Sequence, residues 1–116
     1  MDDDNAQVDD GFAKIQIEAA KRHIFLCLGP DCCPTEEGEA TWNFLKARLK
    51  ELKIPALRTK AACFRICTGG PWMVVYPEGV WYGQVTPERC ARIVEEHLVQ
   101  QRPVEEWVVR RHALGE

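Results

Sequence analysis

No long apolar run interrupts the charge pattern of this 116-residue chain. The longest stretch without a charged side chain, residues 66–77, is twelve residues with two glycines and two prolines. A membrane-crossing helix needs about 20 apolar residues, so no membrane association is expected. A secretory leader is not expected, since the first ten residues, MDDDNAQVDD, carry five aspartates and no base. Leaders place a basic segment before an apolar one, so the expected location is the cytoplasm. A strong basic excess is absent too, which argues against a nucleic-acid partner. No internal repeat is visible.

What is there suits one soluble domain: 46% of residues are hydrophobic and 28% charged. A chain of this length buries enough surface to fold without disulfides. The net charge is −3, but five of the eighteen acids lie in residues 1–10. The other 106 residues hold fifteen bases and thirteen acids, so the domain proper is near neutral. Six cysteines stand out. They make up about 5% of the chain, below the density of a small disulfide scaffold. In a reducing compartment, clustered cysteines point to metal or redox chemistry.

Residues 1–22 read as an acidic, disordered tail and lead-in, with FAKIQIEAAKR at 12–22 open to a short helix. HIFLCL at 23–28 is a compact apolar run that predicts a buried strand, broken by Gly29 and Pro30. Residues 36–53 turn helical, with Trp42, Leu45, Leu49 and Leu52 on one stripe, and Pro55 closes them. ALRTKAA at 56–62 predicts a second strand. After the loop CFRICTGGP, WMVVY at 72–76 and VWYGQV at 80–85 predict a hairpin across Pro77-Glu78-Gly79. Thr86 and Pro87 supply an N-cap and first position for a last helix, whose stripe is Cys90, Ile93, Val94 and Leu98. Residues 104–116 form a C-terminal tail with Val104, Trp107, Val108 and Val109 available for packing. The order is a β-α-β unit, then a β-hairpin, then a C-terminal helix, which predicts an α/β fold of the thioredoxin-like sandwich type over 23–103.

Cys90 falls on the apolar stripe of the last helix and reads as core. The other five cysteines lie in loops. Cys27 ends the first strand, Cys32 and Cys33 precede the first helix of the domain, and Cys63 and Cys67 flank Phe64-Arg65-Ile66. The ends of parallel neighbouring strands share one sheet edge, so these loops converge and four thiolates can meet. The C-x4-C and C-x3-C intervals fit a zinc-stabilised binding module as well as a 2Fe–2S cluster. A thiol–disulfide oxidoreductase is the third reading, weakened because no C-x-x-C follows the first strand. His23, His97 and His112 have no metal-ligand spacing to one another. Trp72, Trp81 and Tyr82 read as hairpin packing. Arg58, Lys60 and Arg65 read as solvated charges, or as groups that offset a cluster's charge or form part of a docking surface.

HIFLC at 23–27, CFRICTGGP at 63–71 and VVYPEGVWYGQVTPE at 74–88 resemble the thioredoxin-like 2Fe–2S ferredoxins, relatives of the small cluster-bearing subunit of respiratory NADH dehydrogenase. The resemblance runs from about residue 23 to 98, with a weak continuation to 104. It implies one 2Fe–2S cluster per chain, no enzymatic activity, one-electron transfer between redox protein partners, and a homodimer to which the hairpin region contributes. Carried over position by position, the ligands are Cys27, Cys63, Cys67 and one of Cys32 and Cys33. The interval from Cys27 favours Cys32. Counting back nine residues from Trp42 favours Cys33, which is preferred here on the argument that helix register cannot slip without turning the apolar face.

Overall fold

The architecture comes from a computed structural model, which describes residues 2–115. In chain order the elements are α1 (Asp2–Lys14), β1 (His23–Cys27), α2 (Thr35–Glu51), β2 (Leu57–Ala61), β3 (Met73–Tyr76), β4 (Val80–Tyr82) and α3 (Pro87–Ile93). α3 runs on as a π-helical stretch, Val94–Val99, and a 3-10 turn at Glu105–Trp107 leads into β5 (Val108–Arg111). The five strands form one sheet in the order β2-β1-β3-β4-β5. β1 and β2 are parallel, with Cys27 opposite Ala61; the other pairs are antiparallel. This is the predicted β-α-β unit, hairpin and helix, with one strand added.

Alternation along the strands sorts the two faces. Ile24 and Leu26 stand in rows with Val75 and Val80, and with Met73 and Tyr82. These six join Leu45 and Leu49 of α2 and Cys90 and Ile93 of α3 in one buried cluster, so both helices cover the same face. The opposite face carries His23 stacked on Phe25 at 4.2 Å, and Phe25 edge-on to Tyr76 at 6.0 Å. Cys90 is fully buried, as its helical position implied. Thr86 caps α3 by accepting from the Arg89 N–H at 3.2 Å.

Two expectations change. The segment read as a disordered tail forms helix α1, exposed along residues 4–14. Low hydrophobicity bars it from the core but not from a helix, and aspartates in the first turn suit the positive end of the helix dipole. The C-terminal tail supplies β5, because Val80 and Tyr82 leave a strand edge that Val108–Arg111 pairs with. The predicted α2 stripe holds: Leu45 and Leu49 are buried with Gly38 and Thr41, and Trp42 and Leu52 pack half-buried against the same core. Arg58 and Lys60 cover the Trp42 ring, 5.6 and 5.8 Å from its centre.

A polar chain crosses the core behind the hairpin. The Tyr82 hydroxyl accepts from the Val104 N–H at 3.0 Å and lies 2.9 Å from His97 Nδ1. His97 Nε2 is 3.1 Å from Glu78 Oε2, which Arg22 approaches to 2.9 Å as an ion pair. The Arg22 Nε–H is not aimed well enough to count as a hydrogen bond, and Glu78 Oε1 has no hydrogen-bond partner. A neutral His97 protonated on Nε2 satisfies the rest, since the tyrosine then donates to Nδ1. Burial holds the His97 pKa below its ordinary value despite the Glu78 carboxylate. The unfolded chain therefore binds the extra proton first. Stability is expected to hold above about pH 6.5 and to fall as the pH drops below it. The thermal midpoint of the native chain between pH 7.5 and 5.5 checks this. In His97→Leu the midpoint should be lower throughout, and the slope over that window should flatten.

Candidate metal centre

The end of β1 brings the first thiol into place. Cys27 is fully buried, and its sulfur accepts from the Trp72 backbone N–H at 3.1 Å. The chain then turns sharply through Gly29, which has φ +93°; a Cβ there would stand 2.1 Å from the Cys33 carbonyl oxygen. Only glycine fits such a left-handed, crowded turn. The turn returns Cys32 and Cys33 beneath the strand end, at 4% and 6% exposure. With Phe64 and Trp72 these three cysteines make a second buried cluster, separate from the main core.

The two vicinal thiols do different things. Cys32 Sγ lies 2.7 Å from Cys27 Sγ and 3.8 Å from Cys33 Sγ, and all six cysteines are free thiols. The Cys33 thiol faces Cys32, Glu37 and the Gly38 backbone N–H at the start of α2. Burial and the adjoining Cys32 push Cys27 up to about 12 and Cys33 up to about 11. Buried thiols that resist ionisation so strongly lack a nearby positive charge, and coordination to a metal cation would supply it.

The loop after β2 brings the second pair. Cys63 is half-buried and its sulfur accepts from the Arg65 N–H at 3.1 Å. Arg65 takes a left-handed conformation, φ 69°, that folds the x3 interval back on itself. The Cys67 thiol is exposed and sits against Cys63, which raises its pKa, and it also feels the charges of Asp31 and Cys32. The two loops are tied by the Gly70 N–H to the Cys32 carbonyl at 3.0 Å, and the Trp72 indole N–H holds the Thr68 carbonyl at 2.7 Å. Among the described residues no three His, Cys, Asp or Glu side chains are set out as a single-ion site. The thiols stand as a buried trio and a loop pair, and Cys32 Sγ comes within 3.8 Å of the carbonyl of Ala62, the residue before Cys63.

The chemistry of this donor set suits an iron–sulfur cluster. All candidate ligands are soft sulfurs, and backbone N–H groups already point at two of them. Comparison with known proteins agrees. A 2Fe–2S ferredoxin of Aquifex aeolicus is 46% identical over 98 residues, covering 76% of this chain and 88% of its own. The chain belongs to the thioredoxin-like 2Fe–2S ferredoxins. Members of this family are electron carriers, and that function stands over the zinc-module and oxidoreductase readings. A 2Fe–2S ferredoxin of Clostridium pasteurianum is 36% identical over 87 residues, 67% of this chain and 85% of that protein. The solved thioredoxin-like 2Fe–2S ferredoxin of A. aeolicus superposes with a TM-score of 0.72 and 32% identity. It covers 84% of this chain and 99% of its own. No family model matches the chain.

Cys27, Cys32 and Cys33 thus meet at the end of β1, Cys63 and Cys67 lie in the loop tied to Cys32 through Gly70, and Cys90 lies apart in the main core. Sequence reasoning missed the two backbone donors, because an N–H leaves no residue signature. It also placed Trp72 in hairpin packing, whereas the indole lies against the cysteine cluster. Trp81 packs edge-on to Phe64 of the ligand loop at 5.7 Å, and Tyr82 belongs to the core. Among the described residues no helix is long and apolar enough to cross a membrane.

Proposed function

We propose that Cys27, Cys32, Cys63 and Cys67 hold one 2Fe–2S cluster per chain and that Cys33 stays beside it as a free thiol. The observation that carries this choice is the position of Cys32, its sulfur 2.7 Å from Cys27 Sγ and 3.8 Å from the carbonyl of Ala62, the residue before Cys63, while Cys33 faces the start of α2. It reverses the preference drawn from helix register. That count began at Trp42, which packs half-buried against the core beside Leu45 and Leu49, and the choice made here rests on the thiol contacts instead. Cys32→Ser is then expected to disturb the visible spectrum of the cluster strongly, and Cys33→Ser to leave it close to native. The opposite ranking would restore Cys33 as the ligand.

When bound, the cluster takes up and gives back a single electron. The protein holds the sulfurs, limits water and stabilises charge. The N–H groups of Trp72 and Arg65, 3.1 Å from the Cys27 and Cys63 sulfurs, favour the more negative state and so raise the potential. The exposed Cys67 end is the edge we assign to redox protein partners, since the Cys27 end lies fully buried. We read the chain as doing no bond chemistry of its own and as cytoplasmic. A homodimer through the sheet face that bears Phe25, Tyr76 and Trp81 is supported by their half-buried rings. Anaerobically purified protein is expected to be red-brown, with about two iron and two sulfide per chain. A colourless protein with one zinc would overturn the assignment.

A further inference from the structure

Helix α1 carries Asp2, Asp3, Asp4, Asp9 and Asp10, and no base until Lys14. Val8, Phe12 and Ile15 follow at i, i+4 and i+7, one stripe of a helix, and are 54, 51 and 49% exposed. A 13-residue helix is marginal in water without packing. It is about 20 Å long and projects from the domain, whose longest extent is 47 Å against 33 and 30 Å for the others.

Between α2 and β2 runs a groove whose charges are all of the opposite sign. Lys46, Lys50, Lys53 and Arg58 line it, above an apolar floor that includes Trp42, Ile54 and Leu57. No carboxylate lines it, and among the described residues none of these four cations stands in an ion pair. The acidic helix with a bare apolar stripe and the basic groove with an apolar floor complement each other. They are not positioned to meet within one chain. Residues Lys14, Ile15 and Gln16 already line the groove's rim, so α1 leaves from that edge. The turns that follow are hydrogen-bonded, Ile17 N–H to Phe12 O at 3.3 Å and Ala20 N–H to Gln16 O at 3.0 Å, which leaves no slack segment for α1 to fold back.

We propose that α1 of one copy lies in the α2–β2 groove of a second copy, its aspartates against Lys46, Lys50 and Lys53 and its Val8–Phe12 stripe over the apolar floor. Two copies exchange arms reciprocally, so the contact closes on a two-fold axis. The arm contact is distinct from the sheet-face contact and lies away from the cysteine loops.

Amide hydrogen exchange in α1 of the full-length, cluster-loaded protein tests this. An undocked 13-residue helix exchanges rapidly, whereas a docked one is protected. The native chain is expected to show protection in α1, reduced by high salt because the charges are exposed. Asp4→Lys/Asp9→Lys/Asp10→Lys in one variant and Lys46→Glu/Lys50→Glu/Lys53→Glu in another should each lower that protection about tenfold, the scale of three exposed charge pairs. All six positions are solvent-exposed, and an unchanged cluster spectrum verifies each fold. The decisive sample is the two variants produced together in one cell. In the mixed pair each arm meets a groove of opposite charge, so protection should return. Rapid exchange of α1 in the native chain would overturn the proposal. Protection that fails to return in the mixed pair would overturn it in favour of fold-back within one chain.

Discussion

Serine in place of Cys27 is expected to strip the protein of most of its iron and its visible absorption. Cys27 ends the strand that lies between β2 and β3, is fully buried, and is fixed by the Trp72 N–H at 3.1 Å. Its sulfur cannot move to make up for a change of ligand. A serine oxygen is harder and sits on a shorter bond, and iron–sulfur clusters select soft thiolates. Losing even an outer-shell partner of a metal site costs about 10–100-fold in affinity, so losing a buried ligand should cost at least that. Iron analysis and the anaerobic spectrum of Cys27→Ser beside the native chain measure the loss. Cys90→Ser is the control. It lies in the main core and not among the cysteine loops, so its spectrum should match the native one. Full iron retention in Cys27→Ser would remove Cys27 from the ligand set.

Gly38→Ala should lower the thermal midpoint sharply, although alanine is the better helix former by about 1 kcal/mol. A Cβ on Gly38 would stand 2.5 Å from Leu28 Cα and 2.6 Å from the Leu28 carbonyl oxygen. These are backbone atoms of the residue after Cys27 and cannot swing aside. Either α2 withdraws from the sheet or the strand end shifts. Overpacking of this kind costs about 1–3 kcal/mol and more where nothing yields. With the propensity gain subtracted, a net loss near 2 kcal/mol remains, or about 8 °C in a domain of this size. Because α2 and the Cys27 loop meet at this point, cluster loading should fall with the midpoint. A variant as stable as the native chain would show that the approach of α2 to the strand end is looser than 2.5 Å implies.

Most of the β-α-β unit and hairpin was legible, because compact apolar runs, a turn at Pro77-Glu78-Gly79 and a Thr-Pro helix start are local signals. Cys90 was legible for the same reason, since three apolar neighbours share its helical stripe. Helix α1 was misread because acidic composition speaks to core burial and not to local helix formation. β5 escaped because a strand of only four residues, VVRR, acquires its identity from the edge of β4 that it pairs with. The α2 stripe was legible too: Trp42 packs half-buried against the core, and its exposed ring face is covered by Arg58 and Lys60.

The sequence by itself determined that five loop cysteines would gather at one end of an α/β sheet. Their positions follow strands and turns that local patterning dictates. It also marked the donor set as one for a thiolate-bound cofactor. Only the tertiary structure gives the two vicinal thiols different surroundings, and the proposed choice of Cys32 rests on them. Local spacing pulls the two apart only in opposite directions, and their thiols differ in what the fold brings against them: Cys27 and the Ala62 carbonyl for one, the start of α2 for the other.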